Sequence, residues 1–185
     1  MAGKAAGFTL TEAVIALCVS AVLLAVAVPA WSGALAAAHS GSARTVLATT
    51  LLDAIRHSAL TGVEVVVCPH GGGATACSGE VDWSGGWMAF ADLNGNRSRD
   101  ANETLVHKAA ALDDSVRLRS TAGRTRLVFQ PNGGNAGSNV TFTLCDRRGA
   151  AKATTLVLAN DGRLRAGTPS AAAAEACLQA VRSRL

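Results

Sequence analysis

The chain has 185 residues and a formal net charge of +4, a length that suits one domain with its own core and does not predict a second. The charge is uneven, because residues 1–116 carry 6 Lys/Arg and 10 Asp/Glu whereas residues 117–185 carry 11 and 3. A basic C-terminal third would attract a polyanion. The sequence lacks hydrolase, zinc-protease and P-loop motifs, so an enzyme is not predicted.

The first thirty residues contain an apolar run that predicts a membrane helix. Positions 13–30 carry no charge, and positions 8–29 provide the ~20 residues that a helix needs to cross a hydrocarbon layer. A short leader with Lys4 ends at Gly7. Glu12 lies inside the apolar segment, where a carboxylate is costly and therefore indicates function. The alternative is a plain signal anchor whose Glu12 reaches the membrane surface.

The stretch G-F-T-L-T-E at positions 7–12, directly before the apolar run, resembles the class III signal of type IV prepilins and pseudopilins. The resemblance implies a leader over residues 1–7 that prepilin peptidase removes by cutting between Gly7 and Phe8. It also implies methylation of the Phe8 amine and a transmembrane assembly helix over residues 8–30. Glu12 would then pair with the amino terminus of a neighbouring subunit.

Residues 31–60 are expected to continue this helix in amphipathic form, and Thr61-Gly62 to end it. The β-branched run at residues 63–68 predicts the first strand, and short segments at close spacing between Gly and Asn turns predict others at 87–91, 103–108, 116–120, 125–130, 140–145 and 154–158. The predicted fold is therefore α+β, a long helix packed on a small antiparallel sheet or sandwich head over residues 61–185. Residues 131–139 and 171–174 are the segments expected to be mobile, and the basic end is expected to form a tail.

Five cysteines are present, and Cys18 lies in the apolar run. The other four fit a disulfide framework in an exported head, for which three connectivities are possible. We favour Cys68 with Cys77, which closes a short loop, and Cys145 with Cys177. Metal binding by thiolates is a poor alternative because no C-x-x-C occurs.

A second resemblance covers most of the chain. The residues that carry it are Cys68, Trp83, Gly86, Trp87, Phe90, Asp92, Asn94, Gly95 and the late Gly162-Arg163-Leu164-Arg165. Together they resemble the GspH/FimT family of minor pilins and pseudopilins, which implies a type IV pilin-like fold. The G-R-L-R ending is similar to the FimT branch, whose G-R-x-R motif is associated with DNA binding in natural transformation.

The basic residues also suggest a nucleic-acid surface on chemical grounds. Arg163 and Arg165 are two apart, so an extended segment would present both guanidinium groups on one face, toward two phosphates. Further candidates are Arg117, Arg119, Arg124, Arg126, Arg147, Arg148 and Lys152, with Arg97 and Arg99 as a weaker pair. No aromatic residue interleaves them, so the expected contact is with phosphates and independent of sequence. The alternative is a solvated basic tail.

Residues 92–103 have the oxygen-bearing pattern of a calcium loop, with ligand candidates Asp92, Asn94, Asn96, Asp100 and Glu103. The sixth position, normally Gly, is Arg97, and a second arginine follows at Arg99. These cations and the missing Gly favour a polar turn over calcium.

The sequence thus predicts a minor type IV pilin that binds extracellular double-stranded DNA for natural transformation and requires no cofactor. It would sit in the bacterial inner membrane, with its head in the periplasm, and then join other pilins in the surface pilus. The main alternative is a structural subunit, either a pseudopilin of a type II secretion system or a pilus-priming pilin. A calcium-stabilised adhesive tip is a third possibility.

Overall fold

A computed structural model describes residues 7, 9–71 and 75–182 of the chain. It forms two compact units, one ending at Leu35 and the other comprising Ala36–Leu185. The predicted cleavage and methylation residue Phe8 lies outside the described residues.

The long helix α1 comprises Leu10–Thr61 and continues through Pro29. Thr9 and Glu12 form a capping box at its start: the Glu12 N–H donates to the Thr9 hydroxyl, and the Thr9 N–H donates to the Glu12 carboxylate. At its end Gly62 adopts φ 73°, and its N–H donates to the Ser58 carbonyl at 2.9 Å. The predicted stop at residues 61 and 62 is confirmed, because Gly readily adopts the left-handed conformation of a helix C-terminus.

The N-terminal part of α1 is apolar and exposed. An 18-residue window has a mean hydropathy of 2.7, and none of that window is buried. By length and composition this helix could cross a membrane.

The head contains two antiparallel four-stranded sheets. The first has the order β3-β2-β1-β5, with β1 Glu64–Pro69, β2 Trp87–Asp92, β3 Leu105–Ala109 and β5 Leu127–Phe129. The second has the order β4-β6-β7-β8, with β4 Val116–Ser120, β6 Val140–Asp146, β7 Thr154–Leu158 and β8 Leu164–Gly167. A 3₁₀ turn, Ala150–Lys152, precedes β7, and helix α2, Ala171–Arg182, follows β8. The predicted α+β class is confirmed.

The core lies between the second half of α1 and the sheets. Ala43, Leu47, Leu51 and Ala54 recur every three or four residues and are buried against apolar side chains of both sheets. Trp87 is anchored there, because its indole N–H donates to the Thr50 hydroxyl at 3.0 Å. This packing confirms the predicted helix continuation on the head.

The sequence interpretation was wrong about the C-terminal region. Residues 171–174 begin α2 and do not form a mobile tail, since Ala174, Cys177 and Leu178 pack one face of that helix on the second sheet. Residues 131–139 contact the head, because Asn135 is buried and its N–H donates to the Asn160 carbonyl at 2.8 Å. Strand β8 was not predicted, because its residues L-R-A-G lack β-branched side chains.

Both predicted disulfides are present. Cys68 bonds to Cys77 across nine residues, and Cys145 bonds to Cys177 across 32. The second disulfide joins β6 to α2 and holds that helix on the outer face of the second sheet. Cys18 is a free, exposed cysteine.

Candidate nucleic-acid interface

The G-R-L-R motif forms the turn and first residues of the β7–β8 hairpin. The turn closes with the Ala159 N–H donating to the Arg163 carbonyl at 2.9 Å. Arg165 then pairs with Val157 of β7, and β8 is the edge strand of its sheet. The motif therefore lies on an edge hairpin with one side open to solvent.

Gly162 permits this turn in two ways. Its φ of 83° is in the left-handed region that glycine adopts without steric cost, and a Cβ there would lie 2.7 Å from the Gly133 carbonyl oxygen. The hairpin thus packs tightly against the turn at residues 131–135. The glycine of the motif is required by backbone geometry.

We expect Gly162→Ala to lower the free energy of unfolding by about 2 kcal/mol or more, because a left-handed alanine costs about 1–2 kcal/mol and the neighbouring carbonyl must also move. Urea unfolding followed by tryptophan fluorescence measures the change. Gly123→Ala is the matched control, since Gly123 has φ 78° and open space around its Cβ position. Equal losses in the two variants would contradict the role of the Gly133 contact.

Asp161 holds Arg163 in place. Its carboxylate accepts the Arg163 N–H at 3.2 Å and the guanidinium Nε–H at 2.7 Å. The backbone N–H of Arg163 lowers the pKa of Asp161, and the Arg163 charge adds to that effect. Asp161 was not among the predicted site residues, although Asp two positions before a backbone donor is a frequent turn signal.

The two arginines of the motif are accessible. The Arg163 side chain is 79% exposed, and its Nη groups make no hydrogen bond within the described part of the chain. Arg165 is also exposed and has no hydrogen-bond or ion-pair partner among the described residues. The Arg165 guanidinium is thus wholly available, and Asp161 orients the Arg163 guanidinium so that its Nη groups remain free.

Arg117 cannot contact DNA in this fold, which corrects the sequence prediction. It is only 3% exposed, and its Nη1 donates to the carbonyls of Val116 at 2.9 Å and Asp114 at 3.2 Å. It lies next to Cys145 in the β4–β6 register, on the face that α2 covers. Arg119 is half-buried on the same face and lines a groove beside Ala173 and Ala176 of α2.

Arg124 and Arg126 lie outside the strands, so the strand predicted over residues 125–130 begins two residues too early. Leu127 begins β5, and both arginines precede it. Arg124 holds the loop after β5, because its guanidinium donates to the Ser138 carbonyl and to the Ser138 hydroxyl. Arg126 is exposed and donates to the Arg97 carbonyl at 3.2 Å.

The remaining candidates lie at the opposite end of the second sheet. Arg147, Arg148 and Lys152 belong to the connection between β6 and β7, whereas the G-R-L-R turn follows β7 at its other end. Arg147 and Lys152 are exposed, but Arg148 is paired with Asp146 at 2.7 Å. The structure therefore does not gather the predicted basic residues into one patch.

The Asp92 loop uses its carboxylates as hydrogen-bond acceptors. Asp92 and Glu103 are each 4% exposed and accept four backbone N–H groups between them. Asp100 accepts the side-chain amides of Asn94 and Asn96. Across residues 7, 9–71 and 75–182, no group of three or more His, Cys, Asp or Glu is arranged to hold a metal ion. The loop is therefore a polar turn in which Asp and Asn side chains bind backbone N–H groups. Arg97, at the position where a calcium loop has Gly, adopts φ 59°.

Comparisons with known proteins agree with this architecture. A family model described as Type II transport protein GspH matches residues 43–162. The fold resembles the type IV minor pilin FimU of Pseudomonas aeruginosa, with 16% identity, a TM-score of 0.54 and coverage of 71% of this chain and 94% of that one. It also resembles the minor pseudopilin EpsH from the Type 2 Secretion System of Vibrio cholerae, with 12% identity, a TM-score of 0.52 and coverage of 71% and 98%. No curated protein matches the sequence.

Proposed function

The chain belongs to the GspH family of minor pilins and pseudopilins, and from this premise we propose that it is a minor type IV pilin whose head binds double-stranded DNA. Arg163 and Arg165 supply the main contacts. The DNA is extracellular, and its capture serves uptake in natural transformation. Exposed cations elsewhere on the head, Arg126, Arg147 and Lys152, add long-range attraction without defining the site.

The observation that carries this proposal is the open edge hairpin with two accessible guanidinium groups. Residues two apart on a strand are separated by about 6.6 Å, which lets two planar forks reach different phosphates of one backbone. Asp161 leaves the Nη groups of Arg163 free while it fixes the base of the guanidinium. Because Asp161 already holds the Arg163 side chain, less side-chain entropy is lost on binding.

The buried aromatic residues favour backbone contact over base stacking. Single-strand binders stack bases on exposed aromatic side chains. In the head, Trp83, Trp87, Phe90, Phe129 and Phe142 are all 0% exposed. The head therefore offers charge and hydrogen-bond donors to a phosphate backbone, and a random-sequence duplex is the appropriate probe.

The test is a polarisation titration of the full chain, in non-ionic detergent, with random-sequence duplex DNA at several salt concentrations. Each neutralised phosphate contributes about 0.9 to the slope of log affinity against log salt, so two contacts give a slope of about −2. Binding without salt dependence, or no binding at high protein concentration, would contradict the proposal.

The second candidate is a structural subunit, either a pseudopilin or a priming pilin. The fold likeness to EpsH favours it, and the pairing of Arg163 with Asp161 is what a purely structural turn would also show. If the chain fails to bind DNA while pili or secretion still require it, this second function replaces the first.

We propose that the N-terminal segment anchors the chain in the inner membrane and then drives assembly with other pilins. Prepilin peptidase would cut after Gly7. Glu12, which the capping box holds at the start of α1, would exchange its contact with Thr9 for the amino terminus of a neighbour.

Two substitutions at Glu12 separate its roles. Glu12→Gln keeps a capping side chain but removes the charge, and Glu12→Ala removes both. We expect both variants to lose at least about tenfold of their incorporation into sheared pili, because an unpaired ammonium in an apolar environment is costly. Immunoblots of pilus and membrane fractions measure the result. Normal incorporation of Glu12→Gln would show that helix capping is the role of Glu12.

A further inference from the structure

A small basic pocket lies where the β6–β7 connection meets α1. It encloses about 160 Å³ and is lined by Ala37, Ser40, Gly41, Arg44, Arg148 and Thr154. All six residues belong to the head unit. The pocket is at the opposite end of the second sheet from the G-R-L-R hairpin and contains neither Arg163 nor Arg165.

Asp146 fixes the Arg148 guanidinium in this pocket. It accepts the Nε–H at 2.9 Å and an Nη2–H at 2.7 Å, while Nη1 has no hydrogen bond to any described residue. Burial raises the pKa of Asp146, but hydrogen bonds from Arg148 and Ser40 outweigh burial and lower it. The Asp146 carboxylate is fully buried and does not line the pocket, so an entering group would meet the free edge of Arg148.

Arg44 supplies a second, uncommitted charge. It is exposed on α1 and has no hydrogen-bond or ion-pair partner within the described residues. Arg147 and Lys152, both exposed, lie in the same connection as Arg148. With Asp146 as the nearby anion, the pocket keeps an excess of positive charge.

Two of the lining residues are small and lie one helical turn apart on α1. Because the side chains of Ala37 and Gly41 are small, the pocket between them and the β6–β7 connection stays open. A Cβ added at Gly41 would have no atom within 4 Å. Gly is less favourable than Ala in a helix interior, so the helix itself gains nothing from this glycine.

We propose that this pocket binds one phosphate group, held between the Arg44 and Arg148 guanidiniums with the Thr154 hydroxyl as a further donor. Two planar forks and a hydroxyl match the several acceptor oxygens of a phosphate. Inorganic phosphate and a backbone phosphate of DNA share this chemistry. The proposal does not depend on DNA binding by Arg163 and Arg165.

The experiment titrates inorganic phosphate into the detergent-solubilised full chain and follows the ¹⁵N shifts of the arginine Nε–H groups. Chloride at matched ionic strength is the control for screening. Arg44→Ala removes one of the two guanidinium groups, and Gly41→Leu places a side chain in the pocket. Arg56→Ala is the matched control, because Arg56 is an exposed arginine on the same helix outside the pocket.

We expect saturable shifts at Arg148 with phosphate but not with chloride, and an affinity at least about tenfold lower in Arg44→Ala and Gly41→Leu. Arg56→Ala should bind as the wild type does. Shifts that chloride reproduces, or that survive both pocket variants, would overturn the proposal. In the same variants, a loss of DNA affinity identifies DNA as the source of the phosphate, and unchanged DNA affinity identifies the free ion.

Discussion

Replacing Arg163 and Arg165 together by alanine is expected to weaken the binding of random-sequence duplex DNA about tenfold or more. An exposed charge pair is worth up to about 1 kcal/mol, so two contacts of about 0.7 kcal/mol each give a factor of ten. The salt slope should fall by about 1.8, because two phosphate contacts are lost. The titration proposed above measures both quantities.

Arg56→Ala with Lys108→Ala is the matched control for that experiment. Both side chains are exposed, neither has a hydrogen-bond or ion-pair partner in the described part of the chain, and their removal changes the net charge equally. Arg163→Lys with Arg165→Lys tests whether the contact needs the guanidinium geometry, because lysine keeps the charge but lacks the planar group that donates two parallel hydrogen bonds to a phosphate. If the control pair weakens DNA binding as much as the hairpin pair, the interaction depends on overall charge and the hairpin site is excluded.

Replacing Cys145 and Cys177 by serine is expected to lower the free energy of unfolding by about 3.5–4 kcal/mol. In the chain-entropy account the cost grows with the closed loop, and this disulfide spans 32 residues. Trp83 and Trp87 are fully buried, so their fluorescence follows urea unfolding of the head. The loss should also free α2 from the second sheet and expose Arg117.

Cys68→Ser with Cys77→Ser is the internal comparison. Its loop spans nine residues, so the same account gives a smaller loss of about 2.6 kcal/mol. A larger loss for the shorter loop would contradict the entropic explanation. Amide exchange in α2 provides a second readout, because only loss of the Cys145–Cys177 bond should accelerate exchange there.

Local sequence patterns predicted most of the secondary structure. The strands Val116–Ser120 and Thr154–Leu158 were predicted to the residue. The first alternates apolar and polar residues, the second is rich in β-branched residues, and turn residues bound both. The prediction for the C-terminal segment was wrong, because the alanines at residues 171–174 suggested a mobile tail and the structure has helix α2 there. The spacing of Ala174, Cys177 and Leu178, which share one face of a helix, indicates a helix that packs on the head.

The positions of the arginines in the fold show that residue spacing does not predict which of them are exposed. Arg117 and Arg119 have the same i, i+2 spacing as Arg163 and Arg165, yet the first pair lies under or beside α2 and the second on an open edge. Alternation assigns residues to a face of a strand but does not say what covers that face. Arg124 and Arg148 are engaged by partners that their spacing does not predict.

The sequence by itself determined the apolar N-terminal helix, the α+β class and the position of the G-R-L-R motif, because each rests on local composition or on a few strongly constrained residues. It favoured the disulfide pairs, which the tertiary structure then fixed. The tertiary structure decided which cations are free, which are buried and which form the pocket at Arg44 and Arg148. Those outcomes depend on contacts between segments far apart in the chain, such as α2 on β4 and α1 beside the β6–β7 connection. Residue spacing within one segment carries no information about such contacts.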